Sequence, residues 1–157
     1  MTDRGRFAAN LETALTNVVA ALAQSGAASE HFYERGTGHL VVISSVPAMR
    51  GMPGSMATYA ATKAAVAHLA EGIRSDLLGR RGHDIAVATV YPGYIASEMN
   101  DQVAQRTPLM VTTEKGVRAM VSAIEKEVAD ACVPPLPWGP LSVVMKHAPL
   151  PVFKRLM

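Results

Sequence analysis

Cysteine is almost absent: Cys132 is the single one in 157 residues. No intrachain disulfide can form, which fits a reducing compartment and a cytoplasmic location. Charge of one sign is also lacking. With 18% charged residues and a net charge of +2, the chain has no electrostatic footprint for nucleic acid, which needs a concentrated basic face. The one basic cluster, Lys146, His147, Lys154 and Arg155, reads as a solvated surface, with membrane-surface contact as the lesser alternative. No run approaches the roughly 18 apolar residues of a membrane span. Arg4 and Arg6 precede an alanine-rich stretch, but Glu12, Thr16 and Asn17 interrupt it. An amphipathic helix explains it better than a leader peptide. The histidines at 31, 39, 68, 83 and 147 have no metal-ligand spacing.

What remains is apolar enough, at 49%, for one domain with a real core. Leu11, Leu15, Val18 and Leu22 recur at helical spacing, which predicts a helix over 7–24 ended by Ser25-Gly26. Residues 26–38, with three glycines, read as a polar loop. His39-Leu40-Val41-Val42-Ile43-Ser44 is a continuous apolar, β-branched run, as expected of a strand buried in a parallel sheet. A long helix is expected over 56–79, a second strand over 85–91 stopped by Pro92-Gly93, a helix over 113–128, and a short strand at 131–133. The proline-rich tail supports no assignment. Alternation of helix and strand is the α/β pattern. In such sheets ligands bind beyond the carboxyl ends of the strands. Ser45, Pro92-Gly93 and Tyr59 all fall on that edge.

Tyr59 and Lys63 are four residues apart on the expected helix and share a face. A phenol titrates near about 10, and a neighbouring cation favours the phenolate. Such a tyrosine can act as a general acid or base. A hydroxyl from Ser44-Ser45 could hold the oxygen that gains or loses the proton. The three together suggest carbonyl–alcohol redox chemistry.

With these elements in order, the chain resembles a classical short-chain dehydrogenase/reductase. Ile43-Ser44-Ser45 and Tyr59-Ala60-Ala61-Thr62-Lys63 resemble the family's serine and Tyr-x-x-x-Lys signature. Tyr91-Pro92-Gly93-Tyr94-Ile95-Ala96-Ser97 resembles its proline-glycine motif, and Asn10-Leu11 the site of its asparagine. The resemblance implies Tyr59 as proton donor in reduction and acceptor in oxidation. Lys63 would assist it and bind the ribose on the nicotinamide side of NAD or NADP. Ser45, whose spacing to the tyrosine suits the family better than that of Ser44, would orient the substrate carbonyl. Asn10 would hold a relay water, with a helix cap as its plain alternative. The interval from Asn10 to Ser45 is longer than the family usually shows. Pro92, Gly93 and Ile95 would line the nicotinamide pocket, and Ser97 would supply a hydroxyl to the cofactor or merely cap a helix.

The family's glycine-rich turn, where backbone N–H groups receive the pyrophosphate, has no counterpart here. Gly36-Thr37-Gly38 precedes a strand and opens no helix. The expectation is therefore a single partial NAD(P)-binding domain over 1–157. It would be the C-terminal part of a Rossmann-type doubly wound parallel sheet, lacking the N-terminal glycine-rich half, with its first strand left as an apolar edge. NAD and NADP stay undecided. The function implied is alcohol–carbonyl oxidoreduction; the alternative is a truncated, inactive relative acting through dimerisation. The resemblance also implies a homo-oligomer built through helices 7–24 and 56–79. Residues 98–112 would form a substrate lid whose apolar character points to a hydrophobic small-molecule substrate. Met49, Met52 and Met56 would border the substrate mouth or simply pack.

Overall fold

The computed structural model describes residues 6–79, 82–97 and 109–156; most of the expected lid lies outside them. The chain opens with α1 (Phe7–Ala14), which passes through a π turn (Leu15–Val19) into α2 (Ala20–Arg35). The expected stop at Ser25-Gly26 and the loop over 26–38 are thus replaced by helix. One glycine costs a helix only about 1 kcal/mol. Ala27, Ala28 and Glu30 beyond it are helix formers, and the buried Ser25 is held in place by packing. The true terminator is Gly36, whose φ of 73° forms a left-handed cap.

Strand β1 (Thr37–Ile43) follows directly. Gly38 is required there, because a Cβ would meet the Phe32 ring at 2.2 Å. A 3-10 turn (Val46–Met49) leads to α3 (Met56–Leu77). Its inward positions are mostly small (Ala60, Thr62, Val66, Ala67 and Ala70), which lets the helix lie close to the sheet. Strand β2 (Asp84–Pro92), α4 (Thr113–Glu125) and β3 (Asp130–Val133) complete the α/β pattern near the expected bounds. The tail then forms α5 (Pro135–His147) and α6 (Leu150–Leu156).

The sheet is parallel in the order β1-β2-β3. Thr37 pairs with Asp84 and Ile43 with Val90; Thr89 pairs with Asp130 and Pro92 with Val133. All three strands therefore end on one edge. Among the described residues two clusters make the core. Val42, Val66, Ala70 and Val87 fill the space between sheet and α3. Val46, Met52, Ala60, Trp138, Met145 and Phe153 join the 3-10 turn to α5 and α6. β1 is an edge strand with Ile43 exposed. Phe7, Leu11, Leu15, Val19 and Leu22 form a further exposed apolar stripe along α1 and α2. Among the described residues no helix is long and apolar enough to cross a membrane.

Candidate active site

The site is assembled where β1 and β2 end. Ser44 continues the ladder, its N–H donating to the Val90 carbonyl at 2.8 Å. The residue is 2% exposed, and its hydroxyl donates to the Lys63 backbone carbonyl at 2.8 Å. Ser44 is thus spent on fastening α3 to the strand. Ser45 is buried as well, but its hydroxyl has only a long contact of 3.4 Å, to the Pro92 carbonyl. Of the pair, Ser45 keeps its hydroxyl closer to free for a ligand.

Lys63 reaches back over the strand end. Its ammonium donates to the Ile43 carbonyl at 3.0 Å and lies 5.9 Å from the Tyr59 ring centroid. Partial burial pushes the ammonium below its ordinary pKa, because desolvation disfavours the charged form. An ammonium has three donors; the Ile43 carbonyl takes one, which leaves donors for a ribose or a water. Tyr59 is half-buried one turn earlier on α3.

The asparagines separate. Asn10 lies within α1, its backbone N–H donates to the Arg6 carbonyl at 2.9 Å, and among the described residues its side-chain amide makes no hydrogen bond. Asn17 stands in the π turn, and its Nδ2 donates to Thr62 Oγ1 at 3.1 Å. Thr62 in turn donates to the Tyr59 carbonyl at 2.8 Å. Asn17 is therefore the asparagine tied to the helix that carries Tyr59 and Lys63. Sequence reasoning passed over it. The overlong interval from Asn10 to Ser45 was the available signal, since Asn17 shortens it by about two turns.

Beyond β2, the Gly93 N–H donates to the Val133 carbonyl at 2.9 Å. A Cβ on Gly93 would meet the Trp138 indole at 2.2 Å, so glycine is needed there. Trp138 is buried and edge-on to Tyr94, with centroids 5.5 Å apart, and its indole N–H has no partner among the described residues. Ile95 bridges Val111 and packs against Gly116. Thr113 donates to the Ala96 carbonyl at 2.6 Å. Ser97 ends this described stretch, exposed. Met52 is buried, with Met49 and Met56 half-buried against the same cluster beneath α5 and α6, so packing accounts for these methionines. Arg50 fastens that roof by donating to the Met145 carbonyl at 3.1 Å and to the Ala148 carbonyl. Its guanidinium also lies 5.4 Å from the Phe153 ring centroid.

Residues 8–108 match the short chain dehydrogenase family. The chain belongs to that family. An uncharacterized oxidoreductase of Mycobacterium tuberculosis is 46% identical over 151 residues, which is 96% of this chain and 58% of that protein. The chain thus spans little more than half the length of this curated relative. A short chain dehydrogenase from Burkholderia cenocepacia in complex with NADP superposes with a TM-score of 0.64 at 25% identity, over 87% of this chain and 54% of that one. A short-chain dehydrogenase from Sphingobium yanoikuyae in complex with NADPH gives 0.66 at 26%, over 82% and 51%. The fold of this family member is accordingly the α/β Rossmann-type sheet of short-chain dehydrogenases.

Proposed function

We propose that this chain carries the proton-transfer corner of an NAD(P)-dependent oxidoreductase that interconverts an alcohol and a carbonyl. The observation that supports it most is the setting of Lys63, between the Ile43 carbonyl and the Tyr59 ring at the carboxyl edge of a parallel sheet. Tyr59 gives its phenolic proton to the carbonyl oxygen in reduction and takes the alcohol proton in oxidation. The adjacent ammonium stabilises the phenolate that reduction leaves behind. Ser45 donates to the same substrate oxygen and holds it within reach of the phenol. Asn17, acting through Thr62, keeps the Tyr59 turn of α3 in register with the π turn; π turns of this kind are frequent at functional sites.

The donor set fits the nicotinamide and ribose half of a dinucleotide. Lys63 has unused donors, and Pro92, Gly93 and Ile95 offer backbone at the strand edge where such ligands bind. The NADP and NADPH of the two solved relatives support the same cofactor class here. When bound, the cofactor supplies or accepts the hydride. Ser97 supplies a hydroxyl at the end of the same segment. The apolar surroundings of the 3-10 turn favour a hydrophobic substrate.

The exposed stripe from Phe7 to Leu22 supports a companion reading. The helices expected over 7–24 and 56–79, which in the structure are α1 with the start of α2, and α3, pair with a second copy or with a full-length relative, and a catalytically idle chain could act in that way alone. A carbonyl panel assayed with NADH and NADPH, alongside Tyr59→Phe, separates the two. Turnover that Tyr59→Phe abolishes supports the catalytic reading. Concentration-dependent association with no turnover supports the idle one.

A further inference from the structure

On the side turned away from the site, α5 and α6 carry a surface of unusual composition. From Ala131 to Met157 there is no Asp or Glu. Lys146, Lys154 and Arg155 are exposed, and among the described residues none of them pairs with a carboxylate. On α5, Trp138, Leu141, Ser142 and Met145 recur at helical spacing and form the inward face. Pro140, Val143, Val144 and His147 recur at the same spacing on the outward face. Val143 is 59% exposed there, and on α6 Leu150 is 61% exposed beside Val152. A solvated surface helix keeps its polar residues outside; up to its basic last turn, α5 is apolar on both faces.

We propose that the outer face of α5 and α6 rests on an anionic lipid bilayer. Val143, Val144, Leu150 and Val152 enter the boundary between headgroups and acyl chains, and Lys146, Lys154 and Arg155 meet the lipid phosphates. The charge decides the occupant. A second copy would bring the same unpaired cations against these, whereas an anionic surface complements them. The stripe on α1 and α2 is equally apolar, but among its described residues the exposed Arg6 is accompanied by the exposed Glu12, so it is not assigned to lipid. Contact is interfacial, since α5 has 13 residues, too few to cross a hydrocarbon core of about 30 Å. Arg50 clasps Met145, Ala148 and Phe153, so the two helices meet the surface in a fixed relation.

Co-sedimentation of the purified chain with vesicles tests this, using phosphatidylglycerol mixed with phosphatidylcholine and phosphatidylcholine alone. Preferential binding to the anionic vesicles, weakened by high salt, is expected. The double variant Lys154→Gln/Arg155→Gln should bind about 25-fold more weakly. Val143→Asp/Val144→Asp, at exposed positions, should not bind, while Leu11→Asp/Val19→Asp on the other stripe should bind as the parent does. Circular dichroism establishes that each variant is folded. Failure of the folded parent to bind anionic vesicles would overturn the proposal, as would equal binding by the Gln variant or loss of binding in the Leu11/Val19 variant. So would a parent that ignores vesicles but forms a dimer dispersed by Val143→Asp/Val144→Asp. None of these results depends on turnover.

Discussion

Helix α3 carries two cations, Lys63 and Arg74, about three turns apart, and each is associated with a tyrosine. Arg74 pairs with Asp130 at 2.9 Å and also donates to the carbonyls of Val87 and Ala129. Asp130 accepts from the Tyr91 hydroxyl at 3.2 Å. Burial first, and then the negative charge of Asp130, hold the Tyr91 phenol well above its ordinary pKa, so it keeps its proton. Lys63 has no carboxylate partner among the described residues; its neighbours are a carbonyl and the Tyr59 ring. A tyrosine with a carboxylate and an arginine makes a clasp joining α3 to β2 and β3. A tyrosine with an unpaired cation keeps charge and donors for a ligand.

The largest test of that contrast is tyrosine deletion. Tyr59→Phe should lower kcat/KM by about 10²- to 10⁴-fold with little change in melting temperature. Tyr91→Phe should leave kcat/KM within about twofold of the parent, since a loss of that size is well under 1 kcal/mol. Equal losses at the two positions would erase the distinction.

Asn17→Ala should cost about 1 kcal/mol in chemical denaturation, the worth of one hydrogen bond, whereas Asn10→Ala should cost less. If Asn10 proves the more damaging, the π-turn link to Thr62 is not the important one.

The two cationic sites should also differ in pH dependence. A lysine with a depressed folded pKa is charged at a cost wherever the pH lies below that value. As pH rises from there towards about 10.4, the unfolded chain binds more protons and stability should increase. Lys63→Met should flatten that increase. Tyr91 acts in the opposite sense. Its contribution is complete below about 10, the value in an unfolded chain, and is lost as the pH climbs towards the raised folded value. Denaturation curves across the alkaline range for the parent, Lys63→Met and Tyr91→Phe separate the two limbs.

The smallest effect belongs to Asp130, whose side chain is half exposed. Asp130→Asn should cost no more than about 1 kcal/mol and leave turnover intact. A larger loss would mean that the clasp holds more than the edge of the sheet.

The candidate corner was legible in the sequence because its signals are local. The β-branched run of β1, the four-residue step from Tyr59 to Lys63 and the Pro92-Gly93 stop each act within one element. Asn17 was legible only through the overlong interval from Asn10 to Ser45, because a π turn inserts a residue and rotates the helix face that simple periodicity would assign. Gly26 misled in another way: it resembles a terminator, yet alanines and Glu30 carry the helix past it to Gly36. The tail resisted reading because its prolines look like breakers throughout. Leu136 is non-helical, so Pro137 and Pro140 fall in the first turn of the regular part of α5, where backbone N–H groups have no helical partner to lose. Trp138 and Arg50 tie that tail to the site through tertiary contacts, which no sequence period encodes.

Lys63, Tyr59 and the Pro92-Gly93 edge are proposed to hold the nicotinamide half of a cofactor. Titration of the purified chain with NADH and NADPH, followed by nicotinamide fluorescence, tests it most directly. Saturable binding is expected, weakened at least tenfold by Lys63→Met, about 1.4 kcal/mol, and unchanged in Asp130→Asn. No binding of either cofactor at millimolar concentration, or binding indifferent to Lys63, would contradict it.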